Sequence, residues 1–70
     1  ERALYVENNR GASVENLVRD LKRRETAPFA AYALGERKDR RALRPLKRKA
    51  RSVSARLRHE ATAALEAITD

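Results

Sequence analysis

Within residues 40–51, RRALRPLKRKAR, seven side chains are basic and none is acidic. Guanidinium and ammonium groups recognise carboxylates and phosphates through charge-assisted hydrogen bonds. The chemistry that Arg40, Arg41, Arg44, Lys47, Arg48, Lys49 and Arg51 offer is therefore ionic capture of an anion, without covalent turnover. Two readings stand side by side. The run is the wet face of a helix, or it is a contact surface for a negatively charged partner. The second draws support from the missing acids, because a surface helix ordinarily interleaves charges of both signs and like charges repel. Against nucleic acid, such residues would displace counterions from phosphates and give affinity that falls steeply with salt. No base-reading motif accompanies them, and only Tyr5, Phe29 and Tyr32 could stack on a base. KRKAR, residues 47–51, is similar to a short nuclear-import patch, a pattern that is common by chance.

Other chemistries find few residues. There is no cysteine, which removes disulfides, thiolate catalysis and most structural zinc sites. His59 is the one histidine and cannot build a metal site by itself. His59–Glu60 starts a zinc-protease pattern but lacks the second histidine four residues on. No serine has a base that spacing would bring near it, and Gly11 and Gly35 belong to no phosphate loop. The expectation is a protein that is not an enzyme and holds no cofactor or metal.

Seventy residues make one small domain with little core. The chain opens on Glu1, which reads as an excised or processed piece. No apolar run approaches the roughly 20 residues of a membrane-spanning helix, and no secretory signal is present; a cytoplasmic protein without a membrane partner is expected. The net charge of +7 is unevenly spread. Residues 37–58 hold eleven basic residues and one acid, and the other 48 hold six basic and nine acidic residues. The excess lies in a third of the chain, where it makes a strong local field.

The elements that must carry this charge are helical. Alanine, leucine and arginine dominate, and polar and β-branched residues do not alternate. At 100° per residue, Ala42, Leu43, Leu46 and Ala50 fall on one arc, with Arg40, Arg44, Lys47 and Arg51 opposite and Lys49 near an edge. Pro45 threatens to bend this helix. Downstream, Val53, Leu57, Ala61, Ala64, Leu65 and Ile68 make a stripe that Ser52 or Ser54 can cap. Upstream, Val14, Leu17, Val18 and Leu21 share a face behind Ser13 as N-cap, with Glu15 suited to the helix dipole. Thr26 is a candidate N-cap for the next helix, with Pro28 in its first turn. Asn8, Asn9 and Gly11 mark a turn. The reading is the tail of one helix, then helices at about 13–24, 27–37, 41–51 and 54–69.

The helices repeat. VENLVRDL (14–21) lies over LRPLKRKA (43–50) at a shift of 29, placing Leu17 on Leu46. AAYALGERKD (30–39) lies over ATAALEAITD (61–70) at a shift of 31, placing Leu34 on Leu65 and Asp39 on Asp70. Ala3–Leu4 precedes Ala33–Leu34 by 30, as the remnant of an earlier unit. A period near 30 with two helices per unit is an α-solenoid signature. AAYALGERKDRRALRPL resembles the junction of HEAT-like repeats of the phycobilisome-lyase type, through Ala30, Ala31, Ala33, Leu34, Gly35, Asp39, Ala42, Leu43, Pro45 and Leu46. LRHEATAAL (57–65) resembles that family's second-helix signature, with Leu57 for valine. Ser54 replaces the acid usual before that signature, a departure that puts an Asp–Arg ladder through Arg58 in question while keeping the cap. Arg37 stands where the next repeat has Ile68; its stem is expected on apolar surface with its head in water.

The resemblance implies an all-α, right-handed solenoid of antiparallel helix pairs. Residues 13–39 and 40–70 would each be a repeat, and 1–12 the end of a preceding one. Small Ala30, Ala33, Ala61 and Ala64 would let neighbouring helices approach closely. Two repeats fall short of the usual three, so Leu65 and Ile68 are expected to expose edges covered by flanking repeats or self-association. In such solenoids the first helix of a unit faces outward. The basic residues Arg40, Arg41, Arg44, Lys47, Arg48 and Arg51 would then lie outside. The inner groove would present Tyr32, Glu36, Arg56, His59 and Glu66, which are mixed in charge. Phe29 and Tyr32 are expected to pack between repeats. The function implied is a protein-interaction scaffold for an acidic partner, with phosphate-backbone binding by the same residues as the alternative. The resemblance also permits an accessory module of a cofactor-attaching enzyme.

Overall fold

The computed structural model describes residues 2–69, so the expected match of Asp39 to Asp70 falls outside the described residues. Five α-helices form where apolar residues recur at helical spacing: α1 (Arg2–Asn8), α2 (Val14–Leu21), α3 (Ala27–Arg37), α4 (Leu43–Lys49) and α5 (Ala55–Thr69). A 3₁₀ turn, Arg40–Ala42, leads into α4. Helix α3 is central. It packs on α1, α2 and most extensively on α5, while α4 packs on α5.

The start of α2 follows from Ser13. Its hydroxyl accepts a bond from the Asn16 N–H at 3.2 Å, and Glu15 sits in the first turn. The helix ends at Leu21, earlier than expected. The next four residues, Lys22, Arg23, Arg24 and Glu25, are exposed and offer nothing to bury. Lys22 and Arg23 instead bond back three residues to Arg19 and Asp20 carbonyls, each at 3.1 Å. Thr26 does not cap α3 with its side chain. Its hydroxyl donates to the Asp20 carbonyl at 2.7 Å, tying the turn to the end of α2. Pro28 occupies the first turn of α3, where its missing N–H has no intrahelical partner to lose.

Pro45 causes no mid-helix kink. The segment before it adopts the 3₁₀ turn capped by Asp39, and Pro45 falls in the first turn of α4. An α-helical bond from residue 45 to residue 41 is impossible for proline, so the α-helix begins at Leu43. Ser54 leads α5, its hydroxyl accepting from the Leu57 N–H at 3.4 Å, while Ser52 accepts from the Ser54 N–H at 3.1 Å. Arg58, without an acid at 54, donates to the Ser52 carbonyl at 3.1 Å.

The core is made by close approach more than by bulk. Of its fourteen residues, seven are alanines: 27, 30, 31, 33, 42, 61 and 64. Leu17, Leu21, Leu34 and Leu46 are the largest side chains fully enclosed. Gly35 marks the tightest point. A Cβ built on it would lie 2.9 Å from both the Cα and the Cβ of Ala64, so α3 and α5 touch backbone to backbone. Ala30, Ala33, Ala61 and Ala64 are all buried.

Several expectations at the edges change. Val53 is 99% exposed, because α5 begins two residues after it and the stripe does not extend back. Ile68 is buried, and Leu65 is half-buried against the core. Leu4 is 64% exposed where Leu34, its counterpart, is enclosed. The Arg37 head, at the protein surface, also finds protein acceptors: its Nη2 donates to the carbonyls of Asn9 and Arg10, each at 3.1 Å. Both carbonyls lie in the turn that follows α1, where the Asn9 carbonyl also accepts the Ala12 N–H at 3.0 Å, so the long side chain ties that turn to α3.

Helix α3 closes on Lys38, which takes a left-handed conformation (φ 55, ψ 37) while its N–H bonds to the Leu34 and Gly35 carbonyls. That conformation costs a side-chain-bearing residue about 1–2 kcal/mol, against about 0.5–1 kcal/mol of extra chain entropy that glycine loses on folding. Lys38→Gly is therefore expected to raise stability by about 0.5–1 kcal/mol, read as a higher urea midpoint at unchanged m-value.

Candidate functional site

Helix α4 is short, seven residues, and its inward side is spent on Leu46 with Leu43 partly covered. Every other position is free to be polar. Arg44, Lys47, Arg48 and Arg51 are exposed and share one shallow depression on its outer side. Among the described residues no carboxylate lies within ion-pair distance of these four. They form an unneutralised cationic surface, and each guanidinium keeps its donors for solvent or a partner.

Arg40 and Arg41 belong to the same run but not to the same surface. Arg41 turns back onto Asp39, with an Nη2–Oδ2 distance of 2.8 Å and a second bond from Nε, and it approaches Glu15 of α2 at 3.8 Å. The pair is local: Asp39 also accepts the Arg41 backbone N–H at 2.9 Å, which caps the 3₁₀ turn. These bonds from the Arg41 side chain and backbone hold the Asp39 carboxyl down to about 2, and the same pairing raises the Arg41 guanidinium further. Arg41 is thus tied to Asp39 while its side chain stays exposed. Arg40 is exposed at the start of the turn, outside the depression.

A pH effect follows with a defined sign. The unfolded carboxyl titrates near 3.9 and the folded one near 2. The stabilisation from Asp39 is present above pH about 4 and is lost as pH falls toward 2. Asp39→Asn is expected to flatten the acid limb of a circular-dichroism titration across that window while leaving neutral-pH helicity in place. An unchanged acid limb would remove Asp39 from the account.

The residues expected to line an inner groove divide in two. Arg56 and His59 sit together on α5, on an open patch with Arg58 and Thr62. Tyr32 lies apart, in a narrow groove between α3 and α5 with Glu36, Glu60 and Ala63. Glu66 is exposed. The Arg56 guanidinium stands 5.1 Å from the Phe29 ring centroid, and Phe29 stacks on Tyr5 at 6.0 Å and 30°. Tyr5 in turn donates its hydroxyl to Asp20 at 2.7 Å. Burial, then the bond and charge of Asp20, push the Tyr5 hydroxyl well above its ordinary range. Phe29 therefore ties α1, α3 and α5 together, and its ring is engaged by protein.

Chain order concealed one grouping. Lys22, Arg23 and Arg24 from the α2–α3 turn line a cleft with Lys49, Val53 and Leu57. A smaller cavity, floored by Val18, Leu21 and Pro45, joins Lys22 and Lys49 to Arg48. The sequence places residues 22–24 in the segment of net negative charge, and only the fold sets them beside the basic run. The signal available was the shift of 29, which puts the end of α2 level with the end of α4.

Among the described residues no helix is long and apolar enough to cross a membrane, and no group of three or more His, Cys, Asp or Glu side chains could hold a metal ion. Comparison with family models, curated proteins and solved structures finds no significant match for this chain.

Proposed function

We propose that this chain is a segment of a right-handed HEAT-like α-solenoid, built from antiparallel helix pairs at 13–39 and 40–70. Its work is to present a cationic helix face to an acidic protein partner. The observation that carries the reading is the set of four unpaired, exposed cations on α4 and the turn just after it: Arg44, Lys47, Arg48 and Arg51. Three features support the solenoid. The second helices, α3 and α5, make the most extensive interface, each first helix packs on its own second helix, and small residues form the junction. Leu4, 64% exposed, suits a preceding unit seated on α1. Helix α4 would then be an outward-facing first helix, which suits a protein surface better than a duplex-binding groove.

The same cations could meet phosphates, so the test measures both. Fluorescence anisotropy of a labelled glutamate-rich peptide and of random single-stranded and duplex DNA is recorded at rising salt. At about 0.1 M salt, where the Debye length is near 10 Å, the peptide is expected to bind and DNA to bind more weakly. The triple change Arg44→Glu, Arg48→Glu and Arg51→Glu is expected to weaken the peptide on the order of 100-fold, at about 1 kcal/mol per ion pair at water-like dielectric. Tight DNA binding with a steep salt slope, lost in the triple variant, would move the function to nucleic acid.

A further inference from the structure

The cationic surface of α4 does not stop at its outer face. It passes through Arg48 into a cavity of about 190 Å³ between α2 and α4, and from there through Lys22 and Lys49 into the cleft of the α2–α3 turn. No acidic residue lines any of the three depressions. The middle one differs from the ends. Its aliphatic lining is the part-exposed surface of Val18 and Pro45 over the enclosed Leu21. Its volume of about 190 Å³ leaves room for a single aliphatic side chain. Val53, 99% exposed, adds apolar surface beside the far end.

From this continuity we infer that the track binds one extended acidic peptide segment, whose carboxylates pair with Arg44, Arg48, Lys49, Lys22 and Arg23 while one aliphatic side chain inserts between α2 and α4. The inference rests on the proposed function and names the partner's chemistry and course. Charge complementarity selects an acidic occupant. The apolar floor selects a peptide over a phosphate backbone, which would bring charge to a surface that offers carbon. Stacking on a base is not on offer along the track, since Phe29 is engaged by Tyr5 and Arg56 and Tyr32 lies in the α3–α5 groove. The aliphatic anchor supplies affinity that salt does not screen, and the flanking cations set register.

The test uses two labelled glutamate-rich peptides, identical except for leucine or serine at the centre, with a single-stranded DNA as third probe. Proteins are the unaltered chain, the turn variant Lys22→Glu/Arg23→Glu and the helix variant Arg44→Glu/Lys47→Glu. All four altered positions are exposed, and helicity is checked by circular dichroism. At about 0.1 M salt the leucine peptide is expected to bind about tenfold tighter than the serine peptide, a gap that persists as salt rises. The turn variant is expected to lose about tenfold for both peptides. Equal binding of the two peptides, or an unaffected turn variant, overturns the inference. If the helix variant still weakens binding in that case, the proposed function stands alone. No peptide binding to the unaltered chain sinks both, and DNA binding tighter than either peptide replaces the peptide with nucleic acid.

Discussion

Gly35→Ala is expected to cost about 2 kcal/mol, although alanine is the better helix former. In an exposed helix the exchange gains about 1 kcal/mol. Here the added methyl would stand 2.9 Å from the Cα and Cβ of Ala64. One of those atoms is backbone and the other is a methyl fixed to it, so no rotamer change relieves the clash. Helix α5 must move bodily, and α3–α5 is the most extensive packing in the fold. Forced overpacking of this kind costs about 1–3 kcal/mol, and an obstruction by backbone belongs at the upper end. Subtracting the propensity gain leaves the stated loss. Urea unfolding followed at the helical circular-dichroism band measures it. Adding Ala64→Gly should restore part of the loss, since the obstructing methyl is removed while the backbone carbon behind it remains. A Gly35→Ala chain as stable as the original would mean that the two helices separate freely, and the close junction would carry no weight.

Leu34→Ala is the second large effect, expected at about 2–5 kcal/mol, with Leu46→Ala close behind. Both side chains are fully enclosed. Leu34 sits on the helix that packs against three others, so its cavity has walls on several elements that cannot all collapse inward. A domain of this size has roughly 4–10 kcal/mol in total, at about 0.05–0.15 kcal/mol per residue. The loss therefore takes a large share of the whole, and a broad or absent thermal transition is the expected readout. Val53→Ala is the matched control, because a side chain at 99% exposure has nothing to lose; a change within about 0.5 kcal/mol is expected there. A Leu34→Ala loss as small as that of Val53→Ala would mean that the core assigned here is not what holds the chain.

The contrast between those two residues shows what could be read in advance. Leu46 falls on a helical apolar arc and Leu34 falls on Leu65 in the repeat, and both are enclosed. Val53 fits the same arithmetic, yet Ser52, Val53 and Ser54 form the turn ahead of α5, where angular position has no meaning. Ser13 was legible as a cap because nothing competes for its hydroxyl. Thr26 looked equivalent, but the Asp20 carbonyl, six residues back, lies within its reach. Arg37 could be placed by register, while its target carbonyls at Asn9 and Arg10 lie 28 and 27 residues away and depend on where α1 comes to rest. For the basic surface, chain order assigned Lys22, Arg23 and Arg24 to a region of net negative charge and counted Arg41 with the partner-binding residues. Space adds to both: the first three line a cleft with Lys49, and Arg41 is hydrogen-bonded to Asp39. Summing charge by window cannot anticipate either, since ion pairing and adjacency are properties of the packed helices.

The fastening of α1 has a kinetic meaning. This seven-residue helix and the turn after it meet the rest through the Tyr5 hydroxyl on Asp20, the Tyr5 ring on Phe29, Val6 packed against the core and the Arg37 side chain on two turn carbonyls. None of these lies in the alanine junction between α3 and α5. The N-terminal helix can therefore detach while α2 to α5 stay assembled, a partial opening that costs less free energy than global unfolding. Such an opening would bare the α3 surface beneath α1 in a chain that remains otherwise native.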